Sequence, residues 1–147
     1  MGRPPREVRS AAGHLRGDPA AQRLFQPADL RVGDCFDVPT SLTQVKDVQH
    51  HPCNEAHTGE VVGVADYPAG GDDPYPSESM LFSFADDLCA RTFREYTGRD
   101  PFTDPVLSVG YFYPIEEGWR DGDHEVACYL LRLDEGPMTQ SFRLPTS

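Results

Sequence analysis

The sequence lacks the long apolar run that heads a secreted protein or crosses a membrane. It opens MGRPPREVRS, which contains neither the hydrophobic region nor the small-residue cleavage motif of a signal peptide. It also lacks a glycine-rich phosphate loop and a dinucleotide-binding fingerprint, so nothing indicates a nucleotide-dependent enzyme. No C-x-x-C pair is present, which excludes the common zinc-knuckle and thioredoxin-type motifs.

Four cysteines are nevertheless present, and neighbouring ones lie 18, 36 and 39 positions apart: Cys35, Cys53, Cys89 and Cys128. An even number at wide spacing indicates two disulfides, which persist in oxidising compartments. We therefore expect an extracytoplasmic protein, secreted or membrane-anchored, that reaches a membrane only through an anchor not present in this chain. The alternative is a cytoplasmic protein with reduced thiols, which applies if Met1 is the natural start.

The charge of the chain is unevenly distributed. The net charge is −11 over 147 residues, but residues 1–26 carry five arginines against two acidic residues. That local charge of +3 leaves −14 for the remainder, and an acidic body repels a phosphate backbone. We predict no nucleic-acid partner and a solvated acidic surface.

Glycine and proline divide the chain into two parts. They interrupt every candidate helix in residues 1–26, which we predict to be a flexible basic N-terminal segment. Residues 27–147 are long enough for one domain. In that domain, alternating and valine-rich runs predict strands at 32–38, 42–50, 60–66, 106–113 and 125–133, with a short edge strand around 140–144.

One segment, residues 78–97, predicts a long amphipathic helix. Ser77 is suited to cap its start and Gly98 its end. One helix on a mainly antiparallel sheet is an α+β architecture. Cys89, on the core side of the helix, can then meet Cys128 on a strand, while Cys35 and Cys53 flank the first two strands. We expect these two pairs, although the sequence alone leaves the other two connectivities open.

Several short motifs resemble the septum formation domain of actinobacterial proteins. They are Gly33-Asp34-Cys35-Phe36, Val48-x4-Cys53, His57-x-x-Glu60-Val61-Val62-Gly63 and Tyr113-Pro114-x-Glu116-Glu117-x-Trp119-x-x-Gly122-Asp123-x-x-Val126-x-Cys128. The resemblance covers about residues 28–133 and implies a cell-envelope domain placed outside the membrane. The chain departs from the family in lacking an anchor and in having Ala56, where proline is usual.

Four groups of residues are candidates for chemical sites. His50, His51, Cys53 and His57 are zinc-type ligands, but their spacing fits no recognised zinc pattern, so we predict no metal and no cofactor. Cys53 and His57 lack the third group of a nucleophilic site. Glu116 and Glu117 before Trp119 could form a carboxylate site with a sugar-stacking indole, but adjacent carboxylates in an extended segment point to opposite faces and cannot act as an acid/base pair. We favour a turn in which Trp119 packs over the sheet edge and Gly122-Asp123 reverses the chain. The loop with Asp72 and Asp73 lacks the ligand pattern of a calcium-binding EF-hand.

These observations favour a non-enzymatic binding or structural module at the cell envelope or division septum. Its expected partner is an envelope protein or a cell-wall polymer, and His57, Glu60, Glu116 and Trp119 are the candidate binding or structural residues. The alternative is a small metal-dependent or Cys/His enzyme, or a cytoplasmic accessory binding protein, centred on His57. We predict a structural role for His57 at the start of a strand, where an imidazole can bond backbone groups.

Overall fold

The computed structural model describes residues 6–10, 13–15, 30–39, 49–69 and 72–145. Its elements are β1 (Arg6–Ser10), β2 (Gly13–Leu15), β3 (Cys35–Phe36), β4 (His50–His51), β5 (Gly59–Asp66), α1 (Glu78–Thr97), β6 (Leu107–Pro114), α2 (Glu116–Arg120) and β7 (Glu125–Arg132). The strands form one sheet in the order β2-β1-β6-β7-β5-β3-β4, and every pair is antiparallel. A helix packed on an antiparallel sheet with two disulfides is the α+β architecture expected from the sequence.

The sheet is curled and buried on both faces. In a flat sheet β3 and β6, which are separated by two strands, would lie about 14 Å apart. The rings of Phe36 on β3 and Phe112 on β6 are instead only 5.9 Å apart, and Tyr129 on β7 contacts both. These aromatic rings fill the concave side of the sheet. Helix α1 covers the other side, where Leu81, Phe93 and Leu107 are fully buried.

Helix α1 has the ends that the sequence predicts. The hydroxyl of Ser77 accepts a hydrogen bond from the N–H of Met80 at 3.2 Å. At the other end Gly98 takes a left-handed conformation, with φ of 72°, and donates its N–H to the carbonyl of Arg94. Caps of this kind satisfy backbone groups that the helix leaves unpaired. In the described part of the chain, no helix is both long enough and apolar enough to span a membrane.

The two disulfides join the pairs expected from the sequence. Cys89 in the middle of α1 bonds to Cys128 on β7, and both residues are buried. Cys35 on β3 bonds to Cys53, which follows β4. The first bond ties the helix to the sheet, and the second ties the loop after β4 to the strand beside it.

Some predicted strands differ from the observed ones. The first strand is reduced to β3, and residues 42–48 of the second lie outside the described residues. Residues 140–144 are not a strand, because their backbone groups bond to the buried Glu60 and to Tyr96. Residues 116–120 form the short helix α2 and are not extended, so Glu116 and Glu117 do not lie on opposite faces of a strand.

The N-terminal segment predicted as flexible contains two strands. The backbone of β1 pairs with β6 over five residues, and β2 pairs with β1. Glycine and proline disfavour a helix, but a short extended segment can still add to an open sheet edge, where unpaired N–H and C=O groups are available. The predicted boundary near residue 27 lies outside the described residues.

Candidate functional site

The carboxylate of Glu60 lies at the centre of a buried polar cluster. Glu60 is on β5 and fully buried, and its side chain accepts hydrogen bonds from the hydroxyls of Tyr96 and Ser141 and from the N–H of Phe142. The Ser141 bond is 2.5 Å long and the Phe142 bond 3.0 Å. A buried carboxylate is costly unless donors surround it, so these three bonds explain how Glu60 is accommodated. We call Glu60, Tyr96, Ser141 and His57 the polar cluster.

Tyr96 brings the end of α1 into this cluster. Burial raises the pKa of its phenol well above the usual value, and the hydrogen bond to Glu60 raises it further. The phenol therefore stays protonated and acts as a donor. Arg143 lies over the Tyr96 ring at 5.3 Å, and the N–H of Leu144 donates to the Tyr96 carbonyl. The C-terminal segment is thereby held against α1.

His57 is fully buried beside Glu60, at the start of β5. Its backbone exchanges two hydrogen bonds with Met138, and its Nδ1 lies 2.7 Å from the carbonyl oxygen of Glu55. Because a carbonyl only accepts, Nδ1 carries the proton in this contact. This is the kind of backbone contact that we predict for a structural histidine. The other ring nitrogen, Nε2, is buried and has no hydrogen-bond partner among the described residues.

The predicted histidine–cysteine cluster does not assemble. His51 bonds to Asp37 at 2.9 Å, His50 is exposed, and Cys53 is bonded to Cys35. Among the described residues, a different group could hold a metal ion: Cys35, His57 and Glu60, whose ligand atoms lie within 4.8 Å of one another. Sequence spacing missed this group because its members come from β3 and β5, which the fold pairs side by side.

Glu116 and Trp119 lie at a second place, on a cleft of about 390 Å³ that we call the tryptophan cleft. Its walls are Asp72, Asp73, Pro74, Tyr75, Glu116, Trp119 and Arg120. The indole of Trp119 is only 4% exposed; its N–H donates to the Asp73 carbonyl and its ring stacks on His124 with centroids 3.9 Å apart. Trp119 therefore anchors the loop before α1 and offers little ring surface to a ligand. Glu116 is exposed on the rim and bonds to Arg120.

A further cleft of about 440 Å³ separates β5 from the end of α1. Tyr96 and Arg143 line one side of it, and Val32 and Leu144 are exposed at its mouth. No motif of the sequence indicates Tyr96 or Ser141 as a site residue. The one local signal of the polar cluster is Glu60 inside the valine-rich segment GEVVGVAD. A carboxylate buried with such a strand needs hydrogen-bond donors around it.

Comparison with known proteins places the chain in a family. No curated protein and no solved structure matches it. The family described as Septum formation matches residues 9–136, which is most of the chain and includes all four cysteines, the polar cluster residues His57 and Glu60, and Trp119. The chain therefore belongs to the septum formation family.

Proposed function

We propose that this protein is a non-enzymatic binding and structural module that acts outside the cytoplasm, at the cell envelope or division septum. The observation that carries the proposal is the pairing of all four cysteines in two disulfides that join separate parts of one domain. Such bonds persist in oxidising compartments. Membership of the septum formation family supports the association with the septum.

The burial of the polar cluster supports a role without catalysis. A general acid or base must come within hydrogen-bond reach of the substrate proton. His57 and Glu60 are both 0% exposed, and the Glu60 carboxylate already accepts three hydrogen bonds. The cluster fixes the C-terminal segment to β5 and α1, which is a structural task.

The tryptophan cleft is the better candidate for contact with a partner. Its exposed rim carries the acidic side chains of Asp72 and Glu116. A buried Trp119 cannot stack on a sugar ring, so this cleft favours a basic segment of an envelope protein over a cell-wall polymer. Electrostatic complementarity of this kind contributes chiefly to association rate and specificity.

The compartment is tested by counting free thiols in protein taken directly from cells. Cells are quenched in acid, free thiols are alkylated with a mass tag, and the intact chain is weighed. We expect no tags in the mature protein. Four tags per chain would indicate a cytoplasmic protein and contradict the proposal.

The absence of catalysis is tested by rescue of septum formation in cells that lack the gene. We expect His57→Gln protein to rescue at normal abundance, since its role is structural, and Glu116→Lys protein to rescue poorly. Asp86→Lys, on an exposed position of α1, is the matched charge reversal and should rescue fully. Failure of an abundant, folded His57→Gln protein would instead favour the enzyme alternative.

A further inference from the structure

Three kinds of metal ligand converge beside the Cys35–Cys53 disulfide. A sulfur of Cys35, a ring nitrogen of His57 and a carboxylate oxygen of Glu60 all lie within 4.8 Å of one another. Cys35 is 2% exposed and the other two are fully buried. Thiolate, imidazole and carboxylate are the three protein ligands that zinc accepts. Cys53 lies outside this group of three but is bonded to Cys35, so it provides a second sulfur next to the group.

The free nitrogen of His57 points to a ligand at this site. Its Nδ1 is held by the Glu55 carbonyl, and Nε2 is buried with no hydrogen-bond partner among the described residues. A buried polar atom without a hydrogen-bond partner destabilises the folded protein, so a bound ligand that supplies the partner is favoured. A histidine whose Nδ1–H donates to a backbone carbonyl presents Nε2 as a lone pair, which is how metal-bound histidines are commonly oriented.

Glu60 retains one place for a further partner. Its Oε2 accepts from both Tyr96 and Ser141, whereas Oε1 accepts from Phe142 alone. A carboxylate oxygen has two lone pairs, so Oε1 can bind one more group. The hydroxyls that hold Oε2 would then serve to orient the carboxylate, as outer partners do in metal sites.

We propose that reduction of the Cys35–Cys53 disulfide creates a zinc site, with Cys35, Cys53, His57 and Glu60 as its four ligands. In the oxidised protein the two sulfurs are bonded to each other and the site does not form. The same four residues thus link β3, β5 and the loop after β4 in either redox state. This site goes beyond the proposed function and does not depend on it.

The two disulfides differ in access. Cys53 is partly exposed on the loop after β4, whereas Cys89 and Cys128 are 1% and 0% exposed. A dithiol reductant is therefore obstructed less at the Cys35–Cys53 bond, which it approaches from the side of Cys53. Its thiolate attacks that sulfur, and Cys35 leaves as a thiolate. The second thiol of the reductant resolves the mixed disulfide and releases Cys53, so that the reductant is oxidised by two electrons. Zinc binds the two thiolates, and their protons go to solvent.

Three of the four ligands need only a small adjustment. Ligand atoms around a tetrahedral zinc are about 3.3 to 3.8 Å apart, given its usual bond lengths of about 2.0 to 2.3 Å. The ligand atoms of Cys35, His57 and Glu60 lie within 4.8 Å of one another, so a movement of about 1 Å brings these three to that spacing. The sulfur of Cys53 must in addition move away from that of Cys35 once the bond between them is open. Cys53 and His57 are both on the segment between β4 and β5, which can shift once the disulfide is open.

The test uses cobalt as a spectroscopic probe for zinc. Untagged protein is reduced with a phosphine under nitrogen, the phosphine is removed, and Co²⁺ is titrated, followed by Zn²⁺. Alkylation and mass spectrometry identify which cysteines have opened. We expect one Co²⁺ per reduced chain, with a thiolate-to-cobalt absorption band that Zn²⁺ abolishes. The oxidised protein should bind at least about 100-fold more weakly and show no such band.

Matched variants assign the ligands. His57→Gln and Glu60→Gln should each weaken Co²⁺ binding by at least about tenfold. His51→Ala, which removes a neighbouring histidine outside the group, should bind as wild type does. The Cys35→Ser/Cys53→Ser variant keeps the other two cysteines and should show no thiolate band. A band in that variant, a reduced wild type without one, or wild-type affinity in both glutamine variants would overturn the proposal.

Discussion

Removal of the Cys89–Cys128 disulfide should destabilise the protein more than any other single change to its covalent structure. The bond joins the middle of α1 to β7 across 39 positions of sequence. In the chain-entropy account, closing a loop of that length is worth about 4 kcal/mol, because the bond restricts the unfolded chain. The Cys35–Cys53 bond spans 18 positions and is worth about 3 kcal/mol on the same basis.

Burial adds a second contribution at the same place. Cys89 and Cys128 are 1% and 0% exposed, between the helix and the sheet. Replacing both by alanine removes two sulfur atoms from the core, and the surrounding side chains fill that space only in part. We therefore expect Cys89→Ala/Cys128→Ala to lower the free energy of unfolding by about 4 to 6 kcal/mol. A domain of this size is stable by about 5 to 15 kcal/mol, so the variant should be near its unfolding threshold.

The assay is equilibrium unfolding in urea, followed by fluorescence. Trp119 is the one tryptophan of the chain and is 4% exposed, so its emission reports the loss of packing around it. Cys35→Ala/Cys53→Ala is the matched control, with a shorter loop and a partly exposed sulfur. A loss below about 1 kcal/mol for the buried pair, or a larger loss for the control pair, would refute the reasoning.

Three further changes test other parts of the fold. His57→Gln should lower the free energy of unfolding by about 1 to 2 kcal/mol, since the amide replaces one hydrogen bond of the ring; a loss above 4 kcal/mol in urea unfolding would contradict this. Burial raises the pKa of the Tyr129 phenol, so just above pH 10 the unfolded chain loses the phenol proton while the folded protein keeps it. The free energy of unfolding should therefore fall as the pH rises above 10, by up to about 1.4 kcal/mol per pH unit. Tyr129→Phe should remove this contribution to the slope of the free energy of unfolding against pH. Equal slopes in the variant and the wild type would show that Tyr129 does not cause the fall in stability. Gly63→Ala should lower the free energy of unfolding by about 1 to 3 kcal/mol, because the new methyl group would lie 2.5 Å from Thr92 on α1. An unchanged melting temperature would show that Thr92 and α1 move aside at no cost in stability.

Local patterns predicted the elements whose stability is local. Helix α1 has the bounds expected from its apolar spacing and its Ser77 and Gly98 caps, because these signals act within a few residues. Strands β5 and β7 begin and end within a residue of their predicted limits for the same reason. The sequence favours a turn around Trp119, and the structure has the five-residue helix α2 there, which is too short for a periodic pattern to predict.

Long-range contacts could not be predicted in this way. Ser141 and Glu60 are 81 residues apart, and nothing near Ser141 indicates that it donates to a buried carboxylate. The strands at residues 6–10 and 13–15 depend on the open edge of β6, which exists only once the sheet has formed. Sequence reasoning placed a possible metal centre at neighbouring histidines, whereas β3–β5 pairing brings Cys35 to His57 and Glu60.

The sequence by itself determined the helix, the main strands and the family, since these follow from periodicity, capping and the order of a few motif residues. It favoured the two disulfide pairs that the structure contains but left the other connectivities open. Only the tertiary structure decided which side chains meet. The curl of the sheet brings Phe36 to Phe112, and the C-terminal segment brings Ser141 to Glu60. Burial leaves Nε2 of His57 without a hydrogen-bond partner in the part of the chain that the structure describes. These contacts join residues far apart in the chain, and their energies depend on burial, which no local pattern encodes.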